Sequence, residues 1–161
     1  MHALFRGARA IVVDTVPWRV ERATKMGATG LAGTAGPELL KTLLKLTDGK
    51  GVDCALDCAG HVDTERFCID ATRPLGRVAF IGECGNDLAI RVSPDLIRKG
   101  LAVIGSWHYN LAEFPKVMQV IQQSPLIDQL LSHVVPMSKI QEAFELSASH
   151  ECGKVVLKPW E

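Results

Sequence analysis

The residues with chemistry to offer begin with Asp14, a carboxylate that closes the apolar run Ala10-Ile11-Val12-Val13. Four β-prone residues suit a strand buried on both faces, as parallel strands between helical layers are. A carboxylate at the carboxyl end of such a strand can accept hydrogen bonds from the hydroxyls of a ribose. It can also cap or turn the chain into the next helix, and this stretch by itself favours that role. Thr15 is a further capping candidate, and Pro17 suits a first helical turn. Cys54 and Cys58 lie four residues apart on a second apolar run, with both side chains on one strand face and no partner ligands, which is a poor zinc pattern. His61, His108, His133 and His150 are scattered, without the serine and carboxylate spacing of a triad. Glu83 with Asp87 reads as a solvated loop pair rather than a general acid–base couple. Trp107-His108-Tyr109 is placed either to touch a substrate or to face a second subunit.

Composition bounds what these residues can serve. A chain of 161 residues can bury a sizeable core, and its 18 basic and 18 acidic residues balance, leaving no electrostatic footprint for nucleic acid or an anionic membrane. No apolar stretch reaches the roughly 20 residues of a membrane helix, and no signal-peptide pattern opens the sequence. The five cysteines are odd in number and sit mostly in apolar segments, as reduced core thiols do. A soluble cytoplasmic protein is the expectation.

The elements that must position the chemistry alternate. His2 to Arg6 reads as the last turns of a helix closed by Gly7. After the Asp14 strand, Val16, Val20, Ala23 and Met26 mark a helix that Gly27 ends, and Thr29–Ala32 a short strand. Pro37 opens a leucine-rich helix ending at Thr47-Asp48-Gly49. Gly51 to Gly60 is a strand running into a small-residue turn, followed by a helix over 63–72, a turn at Arg73–Gly76 and a strand at Arg77–Gly82. Ala89–Val92 is a short extended piece, Ser93-Pro94-Asp95 cap a brief helix closed by Gly100, and Leu101–Trp107 is another strong strand. Beyond Asn110 come a helix over Glu113–Gln123, a strand at His133–Val135, a helix over Ser138–Ser149 and a last strand at Lys154–Leu157. Repeated βα units of this kind build a mostly parallel sheet with helices on both faces.

In this order, Ile11–Asp14, Gly51–Gly60, Gly76–Gly82, Leu101–Trp107 and Gly153–Lys158 resemble the medium-chain dehydrogenase/reductase family, and within it the zinc-type alcohol, sorbitol and threonine dehydrogenases. Ser93–Lys99, between the third and fourth strong strands, is similar to a family segment that a generic nucleotide-binding fold does not need. The resemblance implies an α/β fold, an incomplete Rossmann-type doubly wound parallel sheet. It divides the chain into a truncated cofactor domain over 1–125 and a segment over 126–161 that packs back on a catalytic domain. That catalytic domain, with its zinc ligands, and the first strand with its G-x-G-x-x-G turn have no counterpart here. Gly27, Gly30, Gly33 and Gly36 are too evenly spread, and follow the wrong strand, to be that turn. In the family's strand order the missing strand lies between the strand ending at Asp14 and the one starting at Val52. The pyrophosphate would thereby lose its backbone N–H cradle.

Site residues follow from the resemblance one at a time. Asp14 would take the adenosine ribose and favour NAD over NADP, and Arg19, five residues on, would support the same ribose unless it is only a solvated helix residue. Cys58 and Ala59 would let the cofactor pass the end of their strand, Cys58 being equally readable as a core thiol. Ile81, Gly82, Ile104 and Gly105 would make backbone contacts to the nicotinamide portion, and Lys154 would lie near the pyrophosphate unless it merely faces solvent. The expected function is the NAD(H)-binding portion of an alcohol or polyol dehydrogenase, with NAD binding weak or lost, zinc held only by the absent domain and no turnover by this chain alone. The alternatives are a non-catalytic fold or oligomerisation module and, less favoured, another Rossmann-like enzyme such as a methyltransferase. A homodimer through the edge strand near Leu101–Trp107 is the expected assembly.

Overall fold

The computed structural model describes residues 1–161. In chain order its elements are α1 (His2–Phe5), β1 (Ile11–Asp14), α2 (Pro17–Lys25), β2 (Thr29–Ala32), α3 (Pro37–Leu46), β3 (Val52–Asp57), α4 (Val62–Ala71), β4 (Thr72–Phe80), a π-helix (Val92–Ile97), β5 (Ala102–Gly105), a 3₁₀ turn (Leu111–Glu113), α5 (Phe114–Gln123), α6 (Ile127–Leu130), β6 (Leu131–Pro136), a second 3₁₀ turn (Met137–Lys139), α7 (Ile140–Ala148) and β7 (Lys154–Lys158). Every strand pairing is parallel. The strands form three sheets, ordered β1-β2, β3-β4-β5 and β6-β7, so β1 and β3 each keep one unpaired edge. Two compact units result, one from residues 1–33 with 111–161, the other from residues 34–110.

In the first unit, α2 packs on β1 and β2, and α7 on β6 and β7. Gly30 sits where α2 crosses β2; a Cβ there would lie 2.5 Å from Val20 Cγ1 and Thr24 Oγ1, so only glycine permits that approach. Helix α2 starts without a side-chain cap from Thr15, contrary to the sequence expectation. Val16 is the N-cap residue, and its N–H donates to Asp14 Oδ1 at 2.8 Å. The longer reach of aspartate lets it close that turn from one residue earlier. The two sequence-distant halves of the unit are joined by Arg22, whose Nη2 donates to the Leu131 carbonyl at 2.7 Å while its guanidinium lies 5.6 Å from the Trp18 ring centroid.

The second unit builds its core from Leu43 of α3, Phe67, Cys68, Ile69 and Ala71 of α4, and Val78 of β4. The turn expected at Arg73–Gly76 is instead a bulge within β4: Val52 pairs with Thr72 but Cys54 pairs with Arg77. Leu75 sits there at φ 61° and is 78% exposed. Ala89–Val92, expected to be extended, has no ladder partner. The brief helix after it is a π-helix, and Asp95 serves it by pairing more than by capping. The buried Asp95 carboxylate accepts from Arg66 Nη1 at 2.7 Å, the Arg91 N–H at 2.8 Å and Arg91 Nη2 at 3.3 Å, while Arg66 also pairs with Asp70.

Asp95 carries a pH dependence. The Arg66 guanidinium, and after it the Arg91 backbone N–H, hold its carboxyl well below the usual carboxylate range. A depressed folded-state value means stability that is complete above the unfolded value of about 3.9 and is lost as pH falls from there through the folded value. Asp95→Asn is therefore expected to melt below the wild type at neutral pH, with the gap closing below about pH 4. Equal gaps at neutral and strongly acid pH in thermal melts would refute this.

Burial departs from the sequence reading. The strand ending at Asp14 is half-buried along its length rather than covered on both faces, Leu56 of β3 is 61% exposed, and all four residues of β5 are exposed. Apolar periodicity specifies which faces must be covered but not which chain covers them.

Candidate functional site

The second unit brings six of the sequence-selected residues to one place, the carboxyl ends of β3, β4 and β5. Cys58 and Ala59 follow β3, Ile81 and Gly82 follow β4, and Ile104 with Gly105 ends β5, in register with Ala79 and Phe80. The Asp57 carbonyl accepts the N–H groups of Ile81 at 2.9 Å and Gly82 at 3.1 Å, and the Ser106 N–H donates to the Phe80 carbonyl at 3.0 Å. The strand ends are thus stitched together beyond the last ladder pair.

Two glycines set how close these ends approach. Gly60 has φ +66°, and a Cβ on it would meet the Glu83 carbonyl oxygen at 2.3 Å; a Cβ on Gly82 would meet the Gly60 nitrogen at 2.2 Å. Backbone lies against backbone with no side chain between, so no larger residue fits at either position. Gly105 differs, since nothing lies within 4 Å of where its Cβ would stand. Ile81 and Ile104, 48% and 49% exposed, give this end an apolar surface. An apolar face with backbone polar groups at fixed points beside it is the kind of surface that receives a small ligand.

Sequence reasoning missed Asp57. It is 2% exposed, and its Oδ2 accepts the Gly60 N–H at 3.0 Å. The available signal was an aspartate three residues before a glycine at the end of an apolar run, the pattern of a side chain closing its own turn. His61 has a local role as well: it is the N-cap of α4, its Nδ1 accepting the Asp63 N–H at 3.3 Å.

The remaining three selected residues lie in the first unit. Arg19 and Lys154 line one cavity of about 330 Å³ together with Trp18, Arg22, Ala23, Met26, Leu130 and Gly153. Asp14 does not line it, and its Oδ1 is engaged by the Val16 N–H. The structure therefore unites Arg19 with Lys154 and leaves Asp14 closing the turn after β1.

The thiols do not suit a metal. Burial and then the Asp57 charge push Cys58 above its ordinary value, and burial, Asp57, Cys58 and Glu65 push Cys68 up to about 12. No three His, Cys, Asp or Glu side chains converge on a common point. The residues present do not fit zinc, and no zinc chemistry is assigned to them.

Parallel βα units with small residues gathered at strand carboxyl ends define a Rossmann-type nucleotide-binding fold. Residues 1–123 match the zinc-binding dehydrogenase family, and the chain belongs to that family, within the medium-chain dehydrogenase/reductases. It is 35% identical over 162 residues to the uncharacterized zinc-type alcohol dehydrogenase-like protein YphC of Escherichia coli (strain K12), covering 98% of this chain and 45% of that one. It is 30% identical over 154 residues to the L-threonine 3-dehydrogenase of Bacillus licheniformis, covering 94% of this chain and 44% of the relative. Among solved structures it superposes, with a TM-score of 0.82 at 20% identity, on a short chain alcohol dehydrogenase from Escherichia coli CFT073 complexed with NADH, covering 98% of this chain and 46% of the other. The chain thus spans less than half the length of these relatives. No helix is long and apolar enough to cross a membrane.

Proposed function

We propose that this chain supplies NAD(H)-binding surface of a zinc-type alcohol or polyol dehydrogenase. The carrying observation is the cradle at the ends of β3 and β4, where Gly60 and Gly82 hold the backbones in contact and leave Cys58, Ala59 and Ile81 on the surface. On this reading Ala59, Ile81, Gly82, Ile104 and Gly105 receive the nicotinamide side of the cofactor, and Cys58 borders it as a neutral thiol. Asp14 receives the adenosine ribose, its carboxylate repelling a 2′-phosphate and so favouring NAD over NADP. Arg19 supports that ribose, and Lys154 meets the pyrophosphate. Hydride transfer needs a Lewis acid or acid–base group that these residues do not provide, so turnover of alcohol by the 161 residues alone is not expected.

Calorimetric titration of the chain with NADH, with thermal shift alongside, tests the reading. Saturable binding in the micromolar to low-millimolar range is the expected result, and no binding at several millimolar would overturn it. Gly105→Ala sharpens the test. Its Cβ enters open space, so the melting temperature should stay within about 2 °C of wild type. NADH affinity should nevertheless fall several-fold, because the methyl intrudes only on the ligand. Unchanged affinity would remove β5 from the cofactor surface.

A second reading rests on β5 itself, which pairs only with β4 and exposes Val103, Ile104 and nearby Trp107. We propose that this edge pairs with its copy in a homodimer. Sedimentation velocity showing only monomer at high protein concentration would dismiss it.

A further inference from the structure

The buried carboxylate of Asp57 has no counterpart among the groups that would touch a ligand, yet it holds several of them. Its Oδ2 takes the Gly60 N–H at 3.0 Å, and its carbonyl takes the N–H groups of both Ile81 and Gly82. One residue thereby fixes both arms of the cradle: the Cys58–Gly60 turn through its side chain and the Ile81-Gly82 turn through its backbone. We infer that Asp57 is the positioning residue of the nicotinamide side, acting by the hydrogen bond from Gly60 and not by its charge. This rests on the nucleotide reading above.

The physical case has two parts. Gly60 occupies a left-handed conformation at φ +66° pressed against the Glu83 backbone, a crowded arrangement that the Asp57 bond helps to hold. Loss of the carboxylate would also leave the Gly60 N–H without its acceptor, in a half-buried position where an unmade bond is costly. The Cys58 and Ala59 backbone would then drift from the position set by Ile81 and Gly82. A displacement of about 1 Å takes a hydrogen-bonding contact outside its working range, where it weakens steeply.

Asparagine and alanine variants separate the hydrogen bond from the charge. Asp57→Asn retains an oxygen acceptor at the same reach, whereas Asp57→Ala removes it. NADH fluorescence reports the nicotinamide end, AMP titration reports the adenosine end, and the amide resonance of Gly60 reports the turn itself. Expected are at least a tenfold loss of NADH affinity in Asp57→Ala with AMP affinity kept within twofold, and Asp57→Asn within about threefold of wild type for both. The Gly60 amide should move and lose exchange protection in the alanine variant only. If Asp57→Ala fails to fold, the asparagine variant still decides: a tenfold NADH loss there, with the Gly60 amide unmoved, would overturn the hydrogen-bond role in favour of charge. Wild-type affinity in a folded Asp57→Ala would overturn positioning altogether. Failure of the wild-type chain to bind NADH would instead sink the nucleotide reading on which this inference stands.

Discussion

Gly82→Ala is expected to melt roughly 5–15 °C below the wild-type chain. The added Cβ would stand 2.2 Å from the Gly60 nitrogen, 2.8 Å from its Cα and 2.9 Å from the Ala59 carbonyl carbon. All three are backbone atoms, so no flexible side chain can swing aside, and Gly60 is itself backed by Glu83. Overpacking of this kind costs about 2–4 kcal/mol, at about 2–4 °C per kcal/mol for a chain of this size. Gly85→Ala is the control, because nothing lies within 4 Å of its Cβ position and its φ is ordinary. It should melt within about 2 °C of wild type. Differential scanning calorimetry on the pair decides the matter, and a Gly82→Ala chain as stable as Gly85→Ala would show that the strand ends have room to separate.

Lys99→Met should be the next most damaging change. The Lys99 ammonium donates to three carbonyls at the carboxyl end of α4, Ile69 at 2.7 Å, Thr72 at 2.9 Å and Asp70 at 3.2 Å. Its own carbonyl accepts the Leu75 N–H at 2.6 Å, so it joins the segment after the π-helix to the β4 bulge. A cation at a helix C-terminus is favoured by the dipole and closes carbonyls that have no intrahelical donor. Opposing this, burial holds the ammonium below its ordinary value, the cost of taking it partly out of water. Charged hydrogen bonds outweigh that cost, and methionine, which fills the same space without donating, should lose about 2 kcal/mol, or roughly 4–8 °C. Lys99→Arg should recover part of it. A methionine variant as stable as wild type would mean that water serves those carbonyls equally well.

Much of the architecture was legible because strand and helix periodicities are local. The sequence places Thr29–Ala32 to the residue and Lys154–Lys158 to within one residue of its end, and Val52–Asp57 falls inside the stretch Gly51–Gly60 read as a strand running into a turn. Gly7, at φ 79°, follows α1 as its spacing required. What failed depends on partners distant in sequence. The Arg73–Gly76 turn is a bulge because β4 must re-enter register with β3, a constraint carried by Val52 and Cys54 some twenty residues earlier. Asp95 does cap the π-helix, accepting the N–H of its N-cap residue Arg91, but its bond from Arg66, 29 residues away, is one that no local pattern encodes. For the site, strand-end logic placed Cys58, Ala59, Ile81, Gly82, Ile104 and Gly105 together. It overlooked Asp57, although an aspartate three residues before Gly60 at the end of an apolar run is a readable turn signal. Arg19 and Lys154 meet across 135 positions of sequence, and only the fold shows that they share a cavity.

The two units differ in how the chain threads them, and that difference dictates an order of assembly. Residues 34–110 are contiguous, whereas the other unit needs residues 1–33 to find residues 111–161. On a ribosome, the contiguous unit has its complete set of partners as soon as residue 110 emerges. Residues 1–33 must wait, partly unsatisfied, until residues 111–161 have been made, and Arg22 closes its bond to Leu131 only across a separation of 109 residues. Closing the longer loop carries the larger entropic penalty and is the slower event. Segment 1–33 thus waits longest for its partners within this unit, and until they arrive it is the stretch most exposed to misassociation.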